Sequence, residues 1–375
     1  MTGDLNETPK SGRVHIAFFG LRNAGKSTLV NAFTGQEVAI VSDVAGTTTD
    51  PVSKAMEILP LGPCLITDTA GLDDYGPLGE MRVRKSLDVL ATTDIAVWVA
   101  GADGADESRA RAAFDAACAA RAVAVLEYRR GEPVDDLKRR VAAVRLSERE
   151  PGLLDGLVSA GGRVVCVCPI DESAPKGRLI LPQVQVLRDC LDRGAWCVVC
   201  QPRELADVLA EVRCNLVVTD SQAFGDVAAT IRSAPAPVPR LTSFSILFAR
   251  QKGDLGEYVK GLSAIGTLRD GDMILVAEGC THHRQCNDIG TVKIPKALRK
   301  MTGRDLRFSF ASGGAFDFGD GEGRARLVVQ CGGCMLTRRE VMRRIACCRE
   351  AGVPIVNYGM LLAAANGLPL GDVLA

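Results

Sequence analysis

Cys280-Thr281-His282 and, 48 residues further on, Cys331-Gly332-Gly333-Cys334 gather three thiols and an imidazole in a chain with only three histidines. Thiolate and imidazole are the ligands of zinc and of iron–sulfur clusters, not of the hard cations. Near the other end, Gly20-Leu21-Arg22-Asn23-Ala24-Gly25-Lys26-Ser27 fits G-x-x-x-x-G-K-[ST]. In that pattern backbone N–H groups cradle phosphates, the lysine reaches the terminal ones and the hydroxyl ligates Mg²⁺. One polypeptide thus carries a soft-metal site and a phosphate site.

Both sites need strand ends to hold them. An apolar run at 13–19 reads as a buried strand and 27–33 as a helix, which puts the phosphate loop in the order its chemistry requires. Further strands at 64–67, 95–100, 123–126 and 164–168, with Ala- and Arg-rich helical segments between the later ones, predict a doubly wound α/β domain over 1–170. A second alternation places strands at 195–200 and 215–219 among helices at 183–193, 203–211 and 225–233, a small α/β domain over 171–238. So small a sheet leaves open edges, which suits a dimerisation module. The run Ala234-Pro235-Ala236-Pro237-Val238-Pro239 reads as a stiff linker, and a third α/β domain, 239–375, starts near Leu241.

In that third domain, strands at 273–277 and 326–329 run straight into the two halves of the cysteine set. Thr337-x-x-Glu340 is a capping-box pattern ahead of a helix at 341–350, with Gly352 as its stop. Cys331 and Cys334 therefore fall just before a helix N-terminus, whose partial positive charge favours thiolates.

Composition narrows the class. Hydrophobic residues at 47% and charged ones at 24% exclude a disordered chain. Lys+Arg and Asp+Glu balance at 45 each, so no basic excess points to nucleic acid or a membrane surface. The N-terminus lacks the order of a signal peptide and no run of about 18 apolar residues could span a bilayer, which predicts a cytoplasmic protein. In that reducing compartment the 14 cysteines serve burial, metal ligation or redox chemistry and not disulfides, and most are core residues.

Downstream of the phosphate loop, Gly46-Thr47-Thr48-Thr49-Asp50 resembles the first switch of GTPases, and Asp68-Thr69-Ala70-Gly71 resembles their D-x-x-G motif. Order and spacing identify the translation-factor-related GTPases. The resemblance implies that Gly20, Asn23, Ala24, Gly25, Lys26, Ser27 and Thr28 bind the nucleotide, with Lys26, Asp68 and Gly71 central to hydrolysis. Ser27 and Thr48 would ligate Mg²⁺, Asp68 would hold it through water, and the Gly71 N–H would meet the γ-phosphate; Thr47 and Thr49 remain alternatives to Thr48. Leu72 stands where Ras-like proteins carry a water-orienting Gln. Asn23 beside the Gly-Thr-Thr loop resembles the tRNA-modification GTPases, which implies K⁺ as the compensating charge. The base-reading N-K-x-D has no match in Glu127-Tyr128-Arg129-Arg130-Gly131-Glu132.

The residues leave the metal open between Cys₃His zinc and a three-thiolate [4Fe–4S] cluster. Cys280, Cys331 and Cys334 are the thiolates, and His282 is the candidate for the fourth place beside water, a carboxylate or a partner's ligand. His283 and Cys286 suit a loop or outer contact. Cys197-Val198-Val199-Cys200 reads as core, because side chains three apart in a strand face opposite ways.

A TrmE/Era-like GTPase domain followed by C-x-H and, after the long gap, C-x-x-C resembles the HydF family, the GTPases of [FeFe]-hydrogenase maturation. Asp68-Thr69-Ala70-Gly71-Leu72-Asp73-Asp74, Ala174-Pro175-Lys176-Gly177-Arg178-Leu179-Ile180-Leu181-Pro182-Gln183 and Cys280-Thr281-His282-His283 extend the resemblance along the chain. It implies a GTPase domain, a dimerisation domain and a cluster-binding domain. It also implies a homodimer or tetramer that receives a two-iron precursor from radical-SAM maturases and delivers it to apo-hydrogenase. Cys280, Cys331 and Cys334 would hold the cluster. The rival readings are a tRNA-modification GTPase with a structural metal and an iron–sulfur electron carrier with a vestigial nucleotide domain.

Overall fold

The apolar run ahead of the phosphate loop forms strand β1 (Val14–Phe19), with Ile16, Phe18 and Phe19 fully buried. A computed structural model describes residues 10–35, 52–72, 86, 88–101, 105–145, 151–170, 179–234, 236–279, 288–313 and 316–373. It divides into two compact units, residues 1–149 and 150–375.

In the first unit β1 is the central strand of the order β2-β3-β1-β4-β5, with β2 (Val52–Ile58), β3 (Gly62–Asp68), β4 (Ile95–Ala100) and β5 (Ala124–Arg129). The pairs β1–β3, β1–β4 and β4–β5 are parallel, and β2 is an antiparallel edge. Both faces are covered, as a parallel core demands. Ile16 and Phe18 meet Leu29, Val30 and Phe33 of helix α1 (Lys26–Thr34), while Ala17, Phe19 and Trp98 meet Phe114 and Cys118 of α2 (Ala105–Ala119). A third helix, α3 (Val134–Ala142), adds Leu137 and Val141 to the α1 side. Strand β2 is not among the expected strands: it is an edge whose residues alternate between half-buried and exposed, and Ser53, Lys54 and Glu57 interrupt its apolar residues.

The second unit holds two four-stranded parallel sheets. One has the order β7-β6-β8-β9, from β6 (Arg163–Val167), β7 (Trp196–Cys200), β8 (Leu216–Thr219) and β9 (Arg240–Ser243). Two expectations change here. The apolar run expected to close the first domain is the inner strand β6 of this sheet, and the segment expected to open the third domain is its edge β9. A short all-apolar strand is marked as buried by its sequence, but nothing in it says which sheet buries it. The sheet therefore has four strands where two were expected.

Helices α4 (Leu181–Asp192), α5 (Leu205–Glu211) and α6 (Phe224–Arg232) connect these strands. Cys197 and Cys200 do face opposite ways, Cys197 toward the core of Cys166 and Cys190 and Cys200 toward that of Leu205 and Val217. After β9 comes helix α7 (Phe244–Lys252), and α8 (Leu255–Ala264) leads into the last sheet. Its order is β11-β10-β12-β13, from β10 (Met273–Glu278), β11 (Arg307–Ser312), β12 (Ala325–Gln330) and β13 (Ile355–Asn357). Helices α9 (Ile294–Thr302), α10 (Arg338–Ala351), α11 (Tyr358–Ala365) and α12 (Leu370–Val373) complete the unit.

Candidate nucleotide and cluster sites

The phosphate loop turns on two residues in the left-handed region, Asn23 (φ 59°) and Gly25 (φ 91°), the second serving as N-cap of α1. Gly20 starts the turn under a tight roof: a Cβ there would lie 2.5 Å from the Val99 carbonyl oxygen. Lys26 is buried, and its Nζ donates to the carbonyls of Gly20 at 3.3 Å and Leu21 at 2.7 Å. The loop thus closes on its own lysine. Ala24 is buried, whereas Thr28 lies one residue beyond the loop in α1.

Asp68, the last residue of β3, reaches the same place. Ser27 Oγ donates to Asp68 Oδ2 at 2.5 Å, and the Leu72 N–H donates to the Gly20 carbonyl at 3.2 Å, which sets Gly71 beside the phosphate loop. Burial raises the Asp68 carboxyl above its ordinary 3.8, against the Ser27 hydroxyl and the Lys26 ammonium. Among the described residues Asp68 Oδ1, which is buried, has no hydrogen-bond partner. A hydroxyl, a buried carboxylate and an orphaned oxygen fit a hydrated Mg²⁺, whose waters would satisfy that oxygen. Thr48, with the rest of 46–50, lies outside the described residues, as do Asp73 and Asp74.

The segment that lacks N-K-x-D continues β5 as far as Arg129 and is bound up in ion pairs. Glu127 pairs with Arg111 and Arg129, both at 2.9 Å, while Arg140 pairs with Glu132 at 2.6 Å and donates to the Glu127 carbonyl at 2.7 Å.

At the other site, parallel pairing brings the carboxyl ends of β10, β11 and β12 side by side, where open α/β sheets bind ligands. Cys331 directly follows β12, and its N–H donates to the Ala277 carbonyl at 3.0 Å. The Gly279 N–H donates to Cys331 Sγ at 3.2 Å, so the chain leading to Cys280 passes beside that sulfur. Cys280, His282, His283 and Cys286 themselves lie outside the described residues. Among the described residues no group of three Cys, His, Asp or Glu side chains could hold a metal ion.

The cysteine turn is tightly housed. Gly333 has φ 72°, and a Cβ on Gly332 would press on Ser245 Cα of α7 at 3.1 Å. Burial raises the Cys331 thiol, while N–H groups of Gly333 and Gly279 work to lower it. Burial likewise pushes Cys334 up to about 12, with Lys252 opposing. Thiols that burial disfavours as free thiolates, but at which backbone N–H groups already point, are suited to ionise on a metal. Cys331 and Cys334, the described members of the set, fit two ligands of a thiolate-bound metal group. Thr337 caps α10 as expected, accepting from the Glu340 N–H at 3.3 Å, but the Glu340 carboxylate turns inward to Arg343 and Arg344.

Several buried polar groups here carried no sequence signal, because single residues in apolar helices and strands look alike whether they face solvent or a site. Glu278 and Asp288 are buried on either side of the segment 280–287, and the Tyr358 hydroxyl donates to Glu278 Oε1 at 3.4 Å. Tyr258, its hydroxyl raised by burial first and by Cys331 next, accepts from Gln330 Nε2 at 3.1 Å. Arg344 is fully buried over the Phe316 ring, and among the described residues its Nη1 has no hydrogen-bond partner.

A mainly parallel sheet with a phosphate-binding loop after β1 and a buried D-x-x-G aspartate beside it defines a P-loop GTPase domain. Residues 15–127 match the family model "50S ribosome-binding GTPase". The remainder is more particular: residues 153–253 match "Hydrogen maturase F dimerization domain" and residues 256–372 "Hydrogen maturase F tetramerization domain". The chain belongs to the hydrogen maturase F family.

Curated relatives match at the GTPase domain. The tRNA modification GTPase MnmE of Endomicrobium trichonymphae is 37% identical over 91 residues, 23% of this chain and 19% of that protein. Its namesake from Xanthomonas oryzae pv. oryzae is 42% identical over 102 residues, 27% of this chain and 22% of that protein. The chain therefore spans about a fifth of the length of these relatives. Aquifex aeolicus Era bound to GDP·AlF4⁻ superposes at a TM-score of 0.28 with 15% identity, over 80% of this chain and 93% of that one.

Proposed function

We propose that this protein binds and hydrolyses GTP with Mg²⁺ and K⁺, and that it acts as the scaffold of [FeFe]-hydrogenase maturation. In this reading it holds a [4Fe–4S] cluster and passes a two-iron precursor from radical-SAM maturases to apo-hydrogenase. Gly20, Asn23, Ala24, Gly25, Lys26, Ser27, Thr28 and Gly71 bind the nucleotide. Ser27, Thr48 and, through water, Asp68 hold Mg²⁺, and Asn23 contributes to K⁺, which compensates for the missing Gln at Leu72. Mg²⁺ supplies charge stabilisation at the phosphates when bound. Cys280, Cys331 and Cys334 hold the cluster, with His282 a candidate for the fourth place.

The observation that supports the cluster reading is the Gly279 N–H donating to Cys331 Sγ, Gly279 being the residue before Cys280 in the chain. A corner without a thiolate can exchange its ligand, as loading and release require. GTP then acts as a timer of exchange by ordering the switch loops. Self-association, which the names of the two family models describe, has an open edge to use: β7 is the outer strand of its sheet and presents Trp196, 68% exposed.

The test is anaerobic reconstitution with electron paramagnetic resonance on Cys280, His282, Cys331 and Cys334 variants, followed by activation of apo-hydrogenase. Loss of the cluster signal in the three cysteine variants and activation by the wild type are expected. A colourless, zinc-containing product would reject the cluster, and wild-type activation by Lys26→Ala protein would reject the timer.

A further inference from the structure

Lys252, the last residue of α7, is 3% exposed, and its ammonium is spent on the cysteine turn. Nζ donates to the carbonyl oxygens of Gly333 at 3.3 Å, Cys334 at 3.4 Å and Leu336 at 2.7 Å, and it stands 5.1 Å from the centre of the Phe248 ring. The end of α7 is tied to the same region a second time, by Arg338 Nη1 donating to the Gln251 carbonyl at 2.7 Å. Lysine is almost never fully buried unless it is held by partners, because desolvating an ammonium is costly. Here the partners include three carbonyls of one short turn, those of Gly333, Cys334 and Leu336.

We propose that Lys252 is a positioning residue for the cluster: it fixes the turn that presents Cys331 and Cys334, and its fixed positive charge raises the cluster's reduction potential. The inference rests on the cluster reading above. Three thiolates around a dicationic cluster leave a net negative charge, and one-electron reduction deepens it. A buried cation beside the ligands favours the reduced state, and it acts strongly because little water screens it. Three carbonyls drawn to one ammonium also cannot splay apart, which slows loss of the metal. Lys252 lies in the segment matching the dimerization model, whereas the turn lies in the segment matching the tetramerization model. The cluster site is thereby built from both.

The test compares Lys252→Met, Lys252→Gln and Lys252→Arg with wild type after anaerobic reconstitution of the full chain. Readouts are iron and sulfide content, the reduction midpoint followed by electron paramagnetic resonance, and the rate of iron loss to a chelator. Lys252→Met should keep its circular dichroism and oligomeric state, lose iron several-fold faster and reduce at a more negative potential. Lys252→Arg should return the midpoint towards wild type. Midpoints and loss rates equal to wild type in Lys252→Met would overturn the proposal. Should that variant fail to fold, Gln against Arg decides: a more negative midpoint for Gln supports the role and equal midpoints overturn it. The control is Cys331→Ser/Cys334→Ser. If it binds iron like wild type, the cluster reading itself has failed and the proposal falls with it; if it loses iron while the Lys252 variants match wild type, the Lys252 role alone has failed.

Discussion

Ser27 Oγ and Asp68 Oδ2 lie 2.5 Å apart, so the start of α1 and the end of β3 are joined by a direct hydrogen bond. The other Asp68 oxygen is buried and has no hydrogen-bond partner among the described residues. Hydrogen bonds to charged groups contribute about 1.5–3 kcal/mol, which corresponds to roughly 10- to 100-fold in affinity. Ser27→Ala and Asp68→Asn should weaken Mg²⁺–GTP binding by that order while leaving binding in excess EDTA almost unchanged. Calorimetric titration in the two buffers checks this, and equal losses in both would show that the pair serves the loop and not the cation.

Gly20→Ala should damage the first unit as a whole. Its Cβ would meet the Val99 carbonyl oxygen at 2.5 Å, a backbone atom in the middle of the sheet that cannot rotate away. Overpacking of this kind typically costs about 1–3 kcal/mol. A lower melting temperature, read by circular dichroism without nucleotide, is the expected result.

Acid should loosen the second unit through Glu340. Burial tends to raise this carboxyl, but the guanidiniums of Arg343 and Arg344 outweigh it and hold it below the ordinary 4.5. A depressed acid contributes stability that is present above its unfolded value and disappears as pH falls through the folded one. Glu340→Gln should therefore destabilise the protein at pH 7 by about 3–5 kcal/mol, the usual cost of breaking a buried pair. The deficit should shrink below about pH 4. Urea midpoints measured across pH would show it, and a deficit independent of pH would assign the effect to packing.

Gly261→Ala is the most severe single-methyl change we expect in the second unit. Helix α8 lies so close to β13 that a Cβ at Gly261 would sit 1.8 Å from the Ile355 carbonyl oxygen. Helix propensity alone favours Ala over Gly by about 1 kcal/mol, so the prediction runs against propensity. Insoluble expression or a strongly lowered urea midpoint is expected, and a gain in stability would contradict the packing.

The chemistry was more legible than the architecture that holds it. Gly20 to Ser27 and Asp68 could be read because phosphate binding fixes residue types at short spacing, and the structure brings Ser27 to Asp68 and Leu72 to Gly20. Cys331-Gly332-Gly333-Cys334 could be read as a turn for the same reason. The sheet that owns Val164–Val167 could not, since an apolar run records burial but not the neighbour that provides it. Lys252 was equally silent: a lysine closing a helix is the ordinary C-terminal cap, and only the fold turns this one inward to Leu336.

Helix α7 has nine residues and so spans about 13 Å, with no glycine or proline inside it. Phe244, Leu247 and Phe248 are set in the core on one face of the β6–β9 sheet, Ile246 and Ala249 in the core shared with the last sheet, and Lys252 in the cysteine turn. Such a helix is a single short strut. The two cores and the cysteine turn therefore hang on one unbroken element, and a substitution that tilts α7 would disturb all three together.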